Sequence, residues 1–261
     1  MCIDLYNMFV CFYFVVFFGQ WCLIHLMFQK NSSIGFQFSR PDFKFTVSRF
    51  PATTDELRNA GIILSHQQIA SVMAVLQKKH RFLVFGVGND SKMWSSGPNT
   101  HGSTMFVENN ENWTNKVLEA QPSLDIRFVD YKCNMAEAFT KYFGDEAKLT
   151  EDIPDYLKDT KWDVILVDGP MGFGGSDNPG RMKSIYWASK MVVPNGHVFV
   201  HDIERHIEHE FSRRYLEKDL GWKRFDIAGS RGDLAHFSKS RISDVDMGRP
   251  VPAGSILDGF S

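Results

Sequence analysis

The segment that most constrains the fold is an apolar run that ends in a glycine-punctuated loop. Residues 82–85 are Phe-Leu-Val-Phe, and Gly86-Val-Gly88 follows at once. Such a run predicts a buried strand, and the glycines let the backbone turn tightly and leave room for a ligand, although plain turn chemistry is the alternative. Met93 and Trp94 follow where the dinucleotide fingerprint has its third glycine. A nicotinamide site is therefore disfavoured, and another adenosine-containing cofactor is favoured.

The same unit of strand, loop and helix recurs along the chain. Further strands are predicted at 103–108, 125–131, 162–168 and 197–202, with helical segments between them. This alternation indicates a parallel sheet that helices cover on both faces. Two short strands, 222–227 and 233–237, follow so closely that they can pair only antiparallel. The predicted fold is therefore α/β, a Rossmann-like class I methyltransferase sheet with parallel strands and a C-terminal antiparallel hairpin.

Polar side chains end three of the predicted strands. Glu108 comes about twenty residues after Gly88, where Rossmann-like folds have the acid that binds the ribose hydroxyls; alternatively, it only starts a solvated turn. Asp168, His201 and Asp202 end the fourth and fifth strands. Because ligands bind beyond the carboxyl ends of parallel strands, these three residues are expected to converge on one site. The alternative for Asp202 is to cap the following helix.

The N-terminal part of the chain is predicted to be a membrane anchor. The run from Leu5 to Phe28 contains no Lys, Arg, Asp or Glu. At 1.5 Å per residue it is long enough for a bilayer core of roughly 30 Å, with a cleaved signal peptide as the alternative. We divide the chain into an anchor (1–28), a stem (29–52), a catalytic domain (53–238) and a loose tail (239–261). Basic residues follow the run, so charge counting places the domain in the cytosol.

Composition excludes several classes of protein. The formal net charge of −2 gives no global attraction for nucleic acid. Three of the four cysteines fall in or beside the apolar run, and their spacing predicts neither a disulfide framework nor a zinc site.

Five motifs resemble those of the glucuronoxylan 4-O-methyltransferases and their irregular-xylem relatives in plant polysaccharide biosynthesis. They are residues 82–94, 99–113, 167–170, 179–186 and 200–205, and the likeness covers roughly residues 53–237. The resemblance implies an S-adenosyl-L-methionine-dependent enzyme that methylates the 4-hydroxyl of glucuronic acid side chains on a cell-wall polysaccharide. It also implies a single-pass Golgi anchor with the catalytic domain in the lumen, which disagrees with the charge count.

The chemistry of this reaction suggests roles for the converging residues. Methyl transfer from a sulfonium requires an acceptor hydroxyl about 3 to 3.5 Å from the methyl carbon, and that hydroxyl must lose its proton. His201 and Asp168 are the candidate bases, a role worth typically about 10² to 10⁴-fold. Alternatively, Asp168 and Asp202 hold a divalent metal ion that lowers the pKa of the hydroxyl. Arg181 is the expected partner of the uronate carboxylate, with Arg205 as second choice, and a surface salt bridge is the alternative for both.

The remaining site residues complete the prediction. The assigned cofactor-binding residues are Gly86, Gly88, Asn89, Asp90, Glu108 and Asp130, and His101 is assigned to the substrate. The glycine-rich insert 171–178 borders the sugar site, so arabinogalactan glucuronate is a rival acceptor to xylan. Two other functions stay open: a membrane-anchored, non-catalytic factor in xylan biosynthesis that retains the fold, and a nucleotide-cofactor oxidoreductase.

Overall fold

A computed structural model describes residues 39–40, 43–44, 54–76, 81–96, 99 and 102–239. The predicted anchor, and the predicted tail from residue 240 onward, lie outside these residues. Within the predicted stem, Ser39–Arg40 pairs antiparallel with Phe43–Lys44, in a unit (1–50) separate from the one that follows (51–261). Among the helices of the described residues, none is both long and apolar enough to cross a bilayer.

A seven-stranded sheet forms the centre of the second unit. Its strands are β1 (Arg81–Phe85), β2 (Ser103–Glu108), β3 (Asp125–Phe128), β4 (Trp162–Val167), β5 (Val192–His201), β6 (Lys223–Ile227) and β7 (Leu234–Ser238). Their spatial order is β3-β2-β1-β4-β5-β7-β6. Strands β1 to β5 are parallel, and β7 runs antiparallel to both β5 and β6. The predicted class I methyltransferase sheet is confirmed.

Two strand boundaries differ from the prediction by more than one residue. Strand β3 ends at Phe128, and strand β5 begins at Val192, five residues before the predicted start at His197. The early start is possible because the register between β4 and β5 shifts: Trp162 pairs with Val192, whereas Val164 pairs with His197. Five residues along β5 therefore match two along β4, and the Pro-Asn-Gly segment 194–196 lies in the resulting bulge.

Helices and helical turns connect the strands. The helices are α1 (Thr54–Asn59), α2 (His66–Val75), α3 (Ser91–Ser96), α4 (Glu111–Ala120), α5 (Glu146–Thr150), α6 (Asp155–Lys158), α7 (Met182–Met191) and α8 (His206–Ser212). A 3₁₀ turn (Met135–Glu137) continues into a π-helical turn (Ala138–Tyr142), and a second π-helical turn (Arg213–Lys218) extends α8. A capping box begins α2, since the Ser65 and Gln68 side chains each accept a hydrogen bond from the other's backbone N–H.

Helix α7 lies in the core and fixes the residues just before it. All of its residues except Lys190 are buried. Trp187 stacks on Tyr131 with ring centroids 5.3 Å apart. The ring of Phe85 in β1 also packs against Trp187, with centroids 6.3 Å apart. Because Arg181 directly precedes this buried helix, its backbone is held at the edge of the sheet where the parallel strands end.

Candidate functional site

The loops after β1 and β4 touch backbone to backbone. Gly86 has a φ of +103°, and a Cβ built on it would lie 3.1 Å from the backbone nitrogen of Gly169. A Cβ on Gly169 would in turn lie 2.8 Å from the Cα of Gly86. The neighbouring loop thus leaves no room for a side chain at position 86, which is a packing reason for glycine there. At Gly88 the one described atom within 4 Å of a built Cβ is Oδ1 of Asp90, so this side of the loop is the open one.

Glu108 ties the loop after β1 to the end of β2. Its Oε2 accepts from the backbone N–H of Val87 at 3.2 Å, and its Oε1 accepts from Asn109 and Asn110, each at 2.8 Å. Glu108 therefore does shape the turn that follows it, as the alternative interpretation held. A carboxylate has about four acceptor positions, so the Oε2 atom with a single donor retains capacity for a ligand hydroxyl. Trp113 supports the same loop by donating from Nε1 to the carbonyl of Val87 at 2.7 Å.

Asp90 is a second carboxyl group at this loop. Its Oδ2 accepts from Nε1 of Trp94 at 2.9 Å. Burial, and then the negative charge of Asp168, raises the pKa of Asp90 to about 6. A carboxyl group whose pKa lies so far above its ordinary range is poised to respond to a positively charged ligand.

The other predicted ligands are placed differently. Asn89 is exposed and donates from Nδ2 to the carbonyl of Gly61 at 3.3 Å, so its amide supports a turn. Asp130 is exposed two residues beyond the end of β3. His101 lies outside the described residues.

A charged cluster fills the edge of the sheet beyond β4 and β5. Its members are Asp168, Arg181, His201, Asp202, Arg205 and Glu208. The predicted convergence of Asp168, His201 and Asp202 is thus what the structure shows, since each offers a ligand atom within 4.8 Å of the others. Two side chains of the cluster reach solvent, Asp168 at 27% and Arg205 at 29% exposure.

Asp168 and His201 form a hydrogen-bonded pair. Nδ1 of His201 lies 2.9 Å from Oδ1 of Asp168, so the imidazole donates to the carboxylate. Burial alone would raise the pKa of Asp168, but the bond from His201 and the charge of Arg181 bring it below its ordinary value. Burial alone would lower the pKa of His201, yet Asp168 raises it. The pair therefore favours an ionised carboxylate beside a protonated imidazole.

The imidazole of His201 is buried, whereas the carboxylate that it bonds is partly exposed. The His201 side chain is only 2% exposed, and its Nε2 has no hydrogen-bond partner among the described residues. A Cβ on Gly232, which has a φ of +113°, would lie 3.0 Å from this nitrogen. Of the two candidate bases, Asp168 is the one whose side chain reaches the open side of the site, and His201 positions it.

Arg181 holds the cluster together from inside. Its Nη2 contacts Oδ2 of Asp202 at 2.8 Å and Oδ1 of Asp168 at 3.3 Å. Its Nη1 donates to the carbonyl of His201 at 2.6 Å, and its Nε donates to that of Pro170 at 3.4 Å. Because every nitrogen of this buried guanidinium already has an internal acceptor, Arg181 positions the two carboxylates. The sequence interpretation expected Arg181 to bind the uronate carboxylate, but its nitrogens face these internal acceptors instead.

Asp202 stands in an unusual backbone conformation. Its φ is +58°, the left-handed region that non-glycine residues seldom enter and that recurs at functional sites. Its Oδ1 contacts Nη2 of Arg205 at 3.0 Å. Helix α8 begins with Arg205 at its N-cap and has no side-chain cap, so Asp202 does not serve as one.

Arg205 and Glu208 carry polar atoms that lack a partner. Within the described part of the chain, Nη1 of Arg205 and Oε1 of Glu208 are buried without a hydrogen bond. Both atoms face Gly172, where a Cβ would lie 3.1 Å from Nη1 and would collide with Oε1. Burial raises the pKa of Glu208. Sequence reasoning missed Glu208, Gly172 and Gly232, because a glutamate on an amphipathic helix and glycines in loops give no signal of this packing.

The arrangement has the donors for a divalent cation. Two carboxylates and an imidazole within 4.8 Å match the oxygen and nitrogen ligands that Mn²⁺ and similar ions accept. Arg181 already contacts both carboxylates, so an ion bound there would share them with a guanidinium.

Comparison with known proteins gives one family and several relatives. The family model IRX15/IRX15L/GXM matches residues 67–142 and 136–237. Glucuronoxylan 4-O-methyltransferase 1 of Arabidopsis thaliana is 37% identical over 202 residues, which are 67% of this chain and 71% of the relative. Arabinogalactan O-methyltransferase 2 from the same plant is 34% identical over 179 residues. That match spans 58% of this chain and 60% of the relative.

A further relative carries no reaction in its name. Protein IRREGULAR XYLEM 15 of Arabidopsis thaliana is 29% identical over 206 residues, which are 69% of this chain and 62% of the relative.

Proposed function

We propose that this chain, which belongs to the IRX15/IRX15L/GXM family, transfers a methyl group from S-adenosyl-L-methionine to the 4-hydroxyl of glucuronate side chains on a cell-wall polysaccharide. One observation carries the proposal. Asp168, the partly exposed carboxylate of the charged cluster, directly precedes Gly169, whose backbone touches the loop that would hold the cofactor. The base and the cofactor loop are thus neighbours in space.

The cofactor half of the site fits an adenosine-containing sulfonium. S-adenosyl-L-methionine, when bound, supplies an electrophilic methyl group. Glu108 has remaining acceptor capacity for ribose hydroxyls, and the open side of Gly88 allows a ligand close to the backbone. Asp90 adds a negative charge next to this loop, which complements the positive charges of the cofactor.

The acceptor half supplies the proton chemistry. The Asp168 carboxylate accepts the proton of the sugar hydroxyl, while His201 and Arg181 hold its Oδ1 and so fix its orientation. The lowered pKa makes Asp168 a weak base that is ionised at every physiological pH. Most of the rate then comes from holding the hydroxyl in line with the methyl group.

Arg205 is the best candidate for the uronate carboxylate. One nitrogen, Nη2, is fixed by Asp202, whereas Nη1 has no partner among the described residues. A guanidinium held in this way offers a charge-assisted hydrogen bond without much loss of side-chain entropy.

A divalent cation is a variant of the same mechanism. Asp168, His201 and Asp202 would hold it, and as a Lewis acid it would lower the pKa of the acceptor hydroxyl. EDTA treatment decides between the variants: loss of turnover that a divalent ion restores supports the metal, and unchanged turnover removes it.

The acceptor polymer and the location are part of the proposal. Relatives are named for glucuronoxylan and for arabinogalactan, so both polymers are candidates. A Golgi anchor with a luminal domain follows from the family resemblance, whereas the basic residues after the apolar run favour the opposite orientation. Protease protection of the domain in sealed Golgi vesicles tests the orientation.

A second candidate is a non-catalytic factor in xylan biosynthesis. The similarity to Protein IRREGULAR XYLEM 15 supports it. The paired Asp168 and the cofactor loop favour the enzyme over this alternative, because a scaffold needs neither.

The full chain tests these functions when incubated with methyl-labelled S-adenosyl-L-methionine and glucuronoxylan, arabinogalactan or uronate-free xylan. We expect label only in a glucuronate-bearing polymer, with the methyl group on O4 by product analysis. Calorimetric binding of the cofactor without any transfer would favour the non-catalytic factor. Absence of binding would overturn the cofactor assignment.

A further inference from the structure

Two exposed phenylalanines flank the charged cluster. Phe173, in the glycine-rich loop after β4, is 58% exposed, and Phe139, in the π-helical turn before α5, is 41% exposed. Large apolar side chains in solvent beside a polar site often mark a surface for ligand binding.

Two consecutive residues, Arg205 of the cluster and His206, connect these two rings. The guanidinium of Arg205 lies over the Phe173 ring, 5.3 Å from its centroid. The next residue, His206, stacks against Phe139 with ring centroids 4.6 Å apart and an interplanar angle of 32°. We call Phe173, Arg205, His206 and Phe139 the aromatic row. Since Arg205 also contacts Asp202 at 3.0 Å, the row begins at the charged cluster.

The loop that presents Phe173 is held in place. The Asn178 side chain donates from Nδ2 to the carbonyl of Phe173 at 2.6 Å. The carbonyls of Ser176 and Asn178 accept from the backbone N–H groups of Ala136 and Met135, at 3.1 and 2.9 Å. Met135 and Ala136 belong to the 3₁₀ turn that leads directly to Phe139. Hydrogen bonds therefore join the two elements that carry the rings. The exposure of Phe173 is therefore built into the loop.

We propose that the aromatic row binds the sugars that flank the glucuronate acceptor, with Phe173 stacked on one pyranose face. A pyranose has an apolar C–H face and a polar rim. Exposed aromatic rings, one beside a guanidinium and the other beside an imidazole, complement both. This inference rests on the proposed function and adds that the enzyme recognises a stretch of the glycan rather than the uronate alone.

Turnover with a short and a long acceptor tests the aromatic row. The variants Phe173→Ala, Phe173→Leu and Phe173→Tyr are compared with the natural full chain, using a methyl glucuronoside and a glucuronoxylan oligosaccharide. We expect Ala and Leu to raise KM for the oligosaccharide about five- to tenfold relative to the glucuronoside, the value of one aromatic contact, and Tyr to preserve it. Leu retains apolar volume without a ring face, so it separates stacking from simple contact.

Either of two kinetic results would overturn the proposal that the aromatic row binds the flanking sugars. One is an equal change in KM for the two acceptors, and the other is an oligosaccharide KM that Phe173→Ala leaves unchanged.

Binding measured without turnover separates this inference from the proposed function. Retardation of the full chain in a native gel that contains glucuronoxylan needs no methyl transfer. Retardation that Phe173→Ala abolishes and Phe173→Tyr preserves supports the row even if no acceptor is methylated. Equal retardation of Phe173→Ala and the natural chain, or no retardation of the natural chain, contradicts the row whatever the turnover result.

Discussion

The two halves of the site differ in the chemical groups that form them. The half beyond β1 and β2 uses backbone groups: Gly86 packs against a neighbouring loop, and Glu108 accepts from three backbone N–H groups. The half beyond β4 and β5 uses charged side chains, with Arg181 between two carboxylates. The first half is suited to hold a ligand close to the main chain, and the second to orient a reactive carboxylate. We infer that cofactor binding and acceptor chemistry are separable properties.

Replacing Arg181, which lies between two carboxylates of the acceptor half, should have the largest effect on stability. In Arg181→Met, two carboxylates at least partly buried lose their shared partner, which typically costs about 3 to 5 kcal/mol. Urea unfolding of the full chain measures the loss. Arg213→Met is the matched control, because Arg213 pairs with Glu210 on the surface at 43% exposure and such pairs contribute little to stability. Equal destabilisation by both variants would contradict the central role of Arg181.

Changing the acid at the end of β2 should affect the cofactor half alone. Glu108→Gln loses a negative charge that accepts backbone donors and, in the proposed cofactor site, the ribose hydroxyls; bonds to a charged group are worth about 1.5 to 3 kcal/mol. We expect the affinity for S-adenosyl-L-methionine to fall roughly tenfold or more by calorimetry. The exposed Glu111, on the following helix, provides the control Glu111→Gln. An affinity that Glu108→Gln leaves unchanged would remove Glu108 from the cofactor site.

The smallest expected effect concerns Asp90 of the cofactor half, whose pKa is raised in part by the charge of Asp168 in the acceptor half. Because its pKa is raised to about 6 from 3.8, its contribution to stability is complete below pH 4 and is lost as the pH rises through 6. Asp90→Asn should therefore be the more stable protein at pH 7.5, which a higher Tm would show. The two proteins should converge at pH 3.5.

Cofactor affinity should show the opposite sign. Ionisation of Asp90 favours a cationic ligand, so affinity in the natural chain should rise as the pH passes 6, and Asp90→Asn should lack this rise. A pH-independent affinity in the natural chain would show that Asp90 does not face the cofactor.

Local sequence signals predicted the cofactor half well. The strand before Gly86, the acid at position 108 and the order of the sheet each depend on neighbouring residues or on regular alternation. The backbone contact of Gly86 with Gly169, over eighty residues away, and the bond from Asn89 to the carbonyl of Gly61 leave no local trace in the sequence.

The acceptor half could be predicted only in outline. Strand ends indicated that Asp168, His201 and Asp202 would meet. The sequence could not indicate that Arg181 faces inward and Arg205 partly outward, because both arginines flank helices and differ only in what packs around them. Glu208 was missed for the same reason, as its burial depends on Gly172 in a distant loop.

Transfer from a prebound, methyl-labelled cofactor tests the division of the site most directly. The full chain and its Asp168→Asn variant are loaded with labelled S-adenosyl-L-methionine and mixed with glucuronoxylan, and label in the polymer is followed over a single turnover. We predict that the variant binds the cofactor as the natural chain does and transfers about 10² to 10⁴-fold more slowly. Equal transfer rates, or loss of cofactor binding in the variant, would contradict the account.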